Sequence, residues 1–211
     1  MAFSLSGEGA PKGAWEWADE MTEMPIQKKT AITLCGSLRQ GSINETLRRH
    51  MSDKLREAGV TVTDLDLADF DMPIFNQDIE DAGNTPEAAV RLAKLFQSHD
   101  IVFIASPEYN GGVTPLIVNA IAWTSRQKPN PFKHAVWGIG GVSNGKYATI
   151  FALSHLRDTL SKLGALVTPT LLGIGPHEEA FDADGSPTES SIQWKIGQVV
   201  RELTHFSRGG I

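Results

Sequence analysis

The sequence predicts an α/β protein in which one parallel β-sheet is covered by helices on both faces. From Thr30 onward, short apolar runs alternate five times with segments whose apolar residues recur at helical spacing, an alternation typical of parallel sheets. One of the runs, Ile101–Ala105, is apolar at every position, as expected of a strand covered on both sides. Both observations indicate a three-layer domain with the sheet in the middle.

The strands are predicted from short apolar runs bounded by glycine or polar residues. The first run ends at Gly36, and the second alternates valine with threonine, as a half-exposed strand does. The third and fourth runs are mostly apolar, whereas the fifth contains Pro169, which cannot donate to a ladder and therefore favours an edge. The predicted strands cover residues 31–35, 60–63, 101–105, 135–139 and 166–172.

The helices are predicted from apolar residues that recur every three or four positions. Gly59 ends the first helix, and Pro86 lies near the start of the second. Thr114 and Pro115 begin the third, as an N-cap residue followed by a proline in the first turn. The predicted helical segments cover residues 43–55, 89–96, 116–124, 150–163 and 192–206.

The strand patterns also predict a strand order and a domain boundary. A half-exposed second strand and a proline-containing fifth strand belong at the edges, which matches the flavodoxin-like, doubly wound order 2-1-3-4-5 of a five-stranded sheet. No repeat or linker divides residues 30–211, which are expected to form one domain. Residues 1–29 lack a sustained period and are expected to be a loose extension, or an arm whose tryptophans dock on a neighbouring subunit.

Composition excludes several classes of protein. The chain has 211 residues, of which 41% are hydrophobic, and this is enough for a full globular core. Its net charge of −6 argues against a nucleic-acid-binding surface, which needs a basic excess. We find no apolar run long enough for a membrane span, and residues 1–29 lack the apolar stretch of a signal peptide. The single cysteine, Cys35, cannot form a disulfide within the chain, which is typical of proteins in a reducing compartment. The chain is therefore expected to be cytoplasmic.

The loop after the first strand has the composition of a phosphate-binding loop. Ligands of doubly wound sheets bind beyond the carboxyl ends of the strands where the order reverses, here between the first and third strands. Residues 36–44 supply serine hydroxyls, the forked cation Arg39, the amide of Asn44 and the start of a helix. In an alternative interpretation, Ser42 and Glu45 form a capping box at that helix.

The loop after the third strand suits a flat heteroaromatic ligand. Residues 106–112 carry an aromatic side chain, an acid, an amide and two glycines directly after the most apolar strand. Backbone amides could line the polar edge of such a ligand, with Tyr109 against its face or rim. An ordinary turn with a surface tyrosine is the alternative, and spacing alone does not decide between the two.

These motifs resemble those of NADPH-dependent FMN reductases, a family that includes chromate, azo-dye and quinone reductases. The resemblance extends over residues 30–175 and depends on residues 36–44, 107–111 and 119–126, with support from residues 67–78. It implies non-covalently bound FMN that accepts a hydride at N5 from NADPH or NADH. The reduced flavin would then reduce a small acceptor such as a quinone, a flavin, an azo dye, a ferric complex or chromate.

The resemblance also implies which residues bind the cofactor. The first loop would hold the FMN phosphate, the second would lie along the flavin ring, and a third loop after the fourth strand would flank the ring from the far side. The implied cofactor-binding residues are Ser37, Arg39, Ser42, Ile43, Asn44, Pro107, Glu108, Tyr109, Asn110, Gly111, Gly140, Gly141 and Ser143. No catalytic side chain and no metal are implied. The expected assembly is a homodimer or homotetramer with the flavin near the subunit boundary.

Two other functions are compatible with parts of the sequence. A flavin-binding electron carrier or redox sensor would share the fold and the FMN, without turnover of NAD(P)H. Residues 141–145 also fit the G-x-S-x-G pattern of a serine esterase with Ser143 as the nucleophile. Candidate acids, Asp182 and Asp184, and a candidate base, His205, follow in the required order.

Overall fold

A parallel sheet forms the centre of the protein, for which the computed structural model describes residues 28–145, 147, 149–176, 180–182 and 185–207. Its strands are β1 (Thr30–Cys35), β2 (Thr61–Leu65), β3 (Ile101–Ala105), β4 (Glu108–Tyr109), β5 (Gly112–Val113), β6 (Val136–Val142), β7 (Leu166–Val167) and β8 (Leu172–Ile174). Strands β4 and β5 form a separate hairpin. The others have the parallel order β2-β1-β3-β6, with β7 and β8 both paired to β6. The flavodoxin-like fold is therefore confirmed.

The fifth position of the sheet differs from the prediction because two short strands share it. The N–H of Thr168 still donates to the carbonyl oxygen of Trp137 at 2.8 Å, but Pro169 has no N–H to continue the ladder. Thr170 then turns to Glu202, whose carboxylate accepts from its backbone N–H at 3.0 Å and its hydroxyl at 2.6 Å. The predicted strand over residues 166–172 is thus interrupted, and the sheet has six strands instead of five.

Helices cover both faces of the sheet, as predicted. Those in the described part of the chain are α1 (Ile43–Glu57), α2 (Gln77–Asp81), α3 (Glu87–Ser98), α4 (Pro115–Thr124), α5 (Ile150–Lys162) and α6 (Ser190–His205). Helices α3, α4 and α5 bury their apolar side chains in one core cluster, and α1 and α6 bury theirs in a second. In the residues that the structure describes, we find no helix that is long and apolar enough to cross a membrane.

The segment that follows β2 is fastened across α4. The side-chain amide of Asn119 donates to the carbonyl oxygens of Met72 and Pro73, and its oxygen accepts from the N–H of Phe75 at 2.8 Å. The indole N–H of Trp123 also donates to Pro73, at 2.7 Å. These bonds hold residues 72–75 against α4.

The predicted extension, residues 1–29, lies almost wholly outside the described residues. Lys29 directly precedes β1, and its Nζ donates to the carbonyl oxygen of Phe206 at 2.7 Å. This contact places the carboxyl end of α6 at the amino ends of the strands, on the opposite edge from the predicted ligand loops. The description of residues 1–29 as a loose extension or docking arm stays a prediction.

Candidate functional site

Three loops meet around one cavity at the carboxyl ends of β1, β3 and β6. The cavity has a volume of about 400 Å³, within the size range of small-molecule sites. It lies where the strand order reverses, as predicted from the sequence. Its lining residues are Ser37, Arg39, Ser42, Ile43, Asn44, Pro107, Glu108, Tyr109, Val142, Ser143, Asn144, Gly145 and Tyr147.

The first loop is held against the second at Gly36. The N–H of Gly36 donates to the carbonyl oxygen of Ala105 at 2.8 Å, and its own carbonyl accepts from the hydroxyl of Thr114 at 2.9 Å. Thr114 therefore has the predicted N-cap position before α4, but its side chain joins the two loops instead of capping the helix. A Cβ at residue 36 would lie 2.9 Å from Ile117 and 3.0 Å from the hydroxyl of Ser106, so any other residue would force these side chains to shift.

The start of α1 presents hydrogen-bond donors to the cavity. The alternative capping box does not form, because Ser42 caps no N–H within the described residues and Glu45 turns toward Arg48. The first N–H groups of a helix lack intrahelical acceptors, and here they belong to Ile43 and Asn44. Arg39 is exposed, and its guanidinium makes one long contact of 3.4 Å with the carbonyl of Gly41. This donor set suits an anion.

Asn44 has a different role from the one predicted for its side chain. Its amide donates to the carbonyl oxygen of Val142 at 3.0 Å, and its oxygen accepts from the N–H of Val142 at 2.9 Å. Asn44 is buried, and this pair of bonds joins the first loop to the third across the floor of the cavity. Its contribution to ligand binding is therefore limited to its backbone N–H.

The second loop is a hairpin that the sequence analysis did not foresee. Strands β4 and β5 are joined by Asn110 and Gly111, which have φ values of 52° and 75°. Positive φ at both central positions favours an Asn-Gly turn. The carboxylate of Glu108 accepts a hydrogen bond from the N–H of Ala152 at 3.0 Å and so caps α5. Tyr109 is left half exposed at the cavity rim.

The third loop begins later than the sequence suggests. Strand β6 ends at Val142 instead of residue 139, so Gly140 and Gly141 lie buried inside the strand and do not line the cavity. A Cβ on Gly141 would collide with the carbonyl oxygen of Ser106. The small residues therefore allow two backbones to approach closely, and the cavity is lined further along the loop.

The cavity brings together most of the residues that were predicted to bind a cofactor. Those that line it are Ser37, Arg39, Ser42, Ile43, Asn44, Pro107, Glu108, Tyr109 and Ser143, whereas Asn110, Gly111, Gly140 and Gly141 do not. The prediction missed Val142, Asn144, Gly145 and Tyr147. The polar residues that follow β6 could have indicated these positions. Because the strand was predicted to end at residue 139 instead of Val142, the cavity-lining part of the loop was placed too early in the sequence.

Cys35 at the end of β1 is a packed residue, as expected. It is 6% exposed, and burial, as the largest influence, raises the pKa of its thiol to about 11. A thiol with so high a pKa is almost fully protonated at neutral pH and is a poor nucleophile. This environment argues against a redox role for Cys35.

The alternative serine-esterase site is not assembled. Ser143 follows the carboxyl end of β6, whereas His205 ends α6 near the amino ends of the strands. The Nδ1 atom of His205 hydrogen-bonds the carbonyl of Arg201 at 2.8 Å, within its own helix. The carboxylate of Asp182 accepts from the N–H of Ser186, and Asp184 lies outside the described residues. Ser143 and His205 thus face opposite edges of the sheet.

Comparisons with known proteins identify relatives of this chain. Residues 30–178 match the family model for NADPH-dependent FMN reductases. The chain is 34% identical to the NAD(P)H-dependent FMN reductase of Pseudomonas aeruginosa over 183 residues, which cover 84% of this chain and 94% of the relative. It is also 34% identical to an NAD(P)H:quinone oxidoreductase of Solanum tuberosum over 191 residues, covering 87% and 94% of the two chains.

A solved structure shares the architecture. The flavoenzyme FerB of Paracoccus denitrificans, an NAD(P)H:(acceptor) oxidoreductase, superimposes with a TM-score of 0.73 at 27% sequence identity. The match covers 85% of this chain and all of that protein. Fold, sequence motifs and relatives therefore converge on one family.

Proposed function

The chain belongs to the NADPH-dependent FMN reductase family, and from that premise we propose that the three-loop cavity is its flavin site. The protein is an FMN-dependent NAD(P)H oxidoreductase. In our proposal the FMN phosphate lies at the first loop, and the flavin ring lies along the second and third loops. The observation that carries this proposal is the convergence of an anion-binding helix start and two further loops on one cavity.

The residues present fit FMN. A phosphate dianion matches the N–H groups at the start of α1, the nearby hydroxyl of Ser37 and the charge of Arg39. Tyr109 and Tyr147 supply aromatic surface at the rim, while Ser143 and Asn144 offer polar groups for the edge of a heteroaromatic ring. When bound, FMN would accept a hydride from the nicotinamide and pass electrons to the acceptor. The protein's part is to hold and orient the reactants.

The phosphate position is tested by removing the exposed cation. Arg39→Ala should weaken FMN binding by about 1–3 kcal/mol, which is the usual contribution of a hydrogen bond to a charged group. The affinity for riboflavin should stay unchanged, because riboflavin lacks the phosphate. Arg49→Ala is the matched control, since Arg49 is an exposed arginine on α1 that does not line the cavity. Titration of both flavins by fluorescence quenching measures the difference. Equal FMN affinity in the wild type and Arg39→Ala would contradict the assignment.

We propose a quinone as the acceptor. Relatives from Solanum tuberosum and Escherichia coli are named as quinone reductases. The half-exposed Tyr109 and the exposed Tyr147 leave aromatic surface at the cavity mouth, which suits a flat acceptor. The test compares kcat/KM for a benzoquinone, an azo dye and a ferric chelate with NADPH in excess. A kcat/KM for the benzoquinone below that for the azo dye or the ferric chelate would contradict this choice.

The proposal extends to assembly and location. Exposed apolar side chains lie on α4 and α5, notably Val118 at 53% and Phe151 at 52% exposure, and the ring of Tyr147 lies 6.0 Å from that of Phe151. We propose that these residues meet a second copy of the chain, in a homodimer or homotetramer.

We also propose that residues 30–211 act as one flavin-binding domain in the cytoplasm, where the buried Cys35 would stay reduced.

A further inference from the structure

A buried arginine lies beside the first loop, outside the three-loop cavity, and helps to line a second cavity of about 410 Å³ between that loop and β2. The side chain of Arg48, on α1, is 9% exposed, and its guanidinium binds three elements at once. It donates to the hydroxyl of Thr33 on β1 at 3.0 Å and to the carboxylate of Asp64 on β2. The remaining side of the guanidinium faces Glu45, one turn earlier on α1.

The Glu45 carboxylate is poorly placed for a protein that binds a phosphate. It belongs to the first turn of α1, where a negative charge competes with an anion for the positive end of the helix. Arg48 engages both carboxylate oxygens, with Nε at 3.0 and 2.9 Å and Nη2 at 2.6 Å. Glu45 is thereby directed toward the arginine and its charge is compensated at the base of the loop.

The charges of Glu45 and Arg48 both act on Cys35, the residue that precedes the loop in which the phosphate would lie. Burial is the main reason for the raised pKa of Cys35, but Glu45 raises that pKa further while Arg48 lowers it. Cys35 directly precedes Gly36, the first residue of the loop. The two side chains therefore influence this position with opposite signs.

We propose that Arg48 is a positioning residue that sets the affinity for FMN by neutralising Glu45, without touching the cofactor. The inference rests on the proposed phosphate position at the first loop. In this proposal, the affinity for FMN depends on the sum of the charges of Glu45 and Arg48. Arg48 would then have a second role besides tying α1 to β1 and β2.

The test measures dissociation constants for FMN and riboflavin in the wild type and three variants. Arg48→Met should weaken FMN binding on the order of tenfold, because Glu45 then lacks its cation beside the phosphate. Glu45→Gln should strengthen FMN binding severalfold, because it removes a negative charge from the first turn of α1 while Arg48 stays paired with Asp64. The double variant should return most of the way to the wild-type value. Riboflavin affinity should stay unchanged throughout, since riboflavin carries no phosphate.

The matched control is Glu57→Gln at the far end of α1. Glu57 pairs with Lys54 at 2.7 Å, but it lies about 18 Å along the helix from Glu45, beyond the range of a screened charge. It should leave FMN affinity unchanged. If Arg48→Met does not fold, Glu45→Gln alone carries the test, because its partly exposed side chain can be replaced without opening the core.

The outcomes separate this inference from the flavin-site proposal. If Arg48→Met weakens the binding of FMN and riboflavin equally, and the double variant shows no recovery, Arg48 has only a structural role. That result would overturn the inference. Unchanged FMN affinity in Glu45→Gln would also overturn it. If Arg39→Ala still weakens FMN in either case, the phosphate position stands. A wild-type protein that binds riboflavin as tightly as FMN would overturn both.

Discussion

Gly141 determines how closely the third loop approaches the second. A Cβ added at this position in β6 would collide with the carbonyl oxygen of Ser106, whose own N–H donates to the carbonyl oxygen of Gly140 at 2.8 Å. Gly145, four residues later, has open space where a Cβ would be added. Two glycines of one sequence motif thus have different physical reasons for their presence.

Gly141→Ala should therefore destabilise the protein and disturb the cavity, whereas Gly145→Ala should leave the free energy of unfolding unchanged. A methyl group at residue 141 has to displace backbone instead of a flexible side chain, and overpacking of this kind costs about 1–3 kcal/mol. Urea unfolding and FMN titration measure the two effects. Wild-type stability in Gly141→Ala would show that β3 and β6 can separate at no cost, contrary to this account.

At the residue scale, sequence reasoning located the loops that line one cavity but assigned several side chains partners that they do not have in the structure. Thr114 and Asn44 have hydrogen-bonding groups that suit a helix cap or a ligand, and local spacing favours those uses. Their actual partners, Gly36 and Val142, lie 78 and 98 residues away in the chain. Contacts over such distances depend on tertiary packing, which no local pattern encodes.

At the scale of elements, α1 joins the ligand loop to the exposed edge of the sheet. Asp64 on β2 accepts hydrogen bonds from Arg48, Ser52 and Arg56. Burial opposes ionisation of this carboxyl, but the hydrogen bonds outweigh it, and the pKa of Asp64 falls from 3.8 to about 2. The ionised form is therefore favoured in the folded protein more than in the unfolded chain.

This depressed pKa predicts a pH dependence of stability. The contribution of Asp64 is fully present above pH 4 and is lost as the pH falls toward 2. Because the side chain is 41% exposed, we expect about 1 kcal/mol after allowing for solvent screening. The stability difference between the wild type and Asp64→Asn should shrink by most of that amount from pH 6 to pH 2.5 in urea unfolding, and the rest should be lost below the folded-state pKa of about 2.

The control for this measurement is Asp53→Asn, which removes an exposed carboxylate that pairs with Arg56 at the surface. The difference in the free energy of unfolding between Asp53→Asn and the wild type should change less over the same pH range. A constant difference for Asp64→Asn across that range would mean that the hydrogen bonds at Asp64 do not favour its ionised form.

Elements with strong periodicity were predictable, and short ones were not. The buried strand β3 was predicted to the residue, since five consecutive apolar positions leave little choice. The hairpin of β4 and β5 has two residues in each strand, too few for any period. Strand β6 was predicted too short because glycine disfavours strands locally, although close packing on Ser106 requires it here.

At the scale of the whole molecule, the exposed apolar surface beside the cavity predicts self-association. Phe151→Glu should shift the protein toward monomers, because burying a carboxylate in an apolar interface is costly. Trp194→Glu is the matched control, since Trp194 is 63% exposed on α6, across the sheet from α5. Light scattering after size exclusion gives the masses. A monomeric wild type, or equal effects of both variants, would contradict the proposed interface.

The central claim is that this one chain both binds FMN at the three-loop cavity and reduces it with NAD(P)H. The most direct test is an anaerobic visible spectrum of the protein after reconstitution with FMN and desalting, before and after addition of NADPH or NADH. We predict retained flavin bands that bleach rapidly on addition of nucleotide. Retained bands that neither nucleotide bleaches, or a protein that keeps no flavin, would contradict the account.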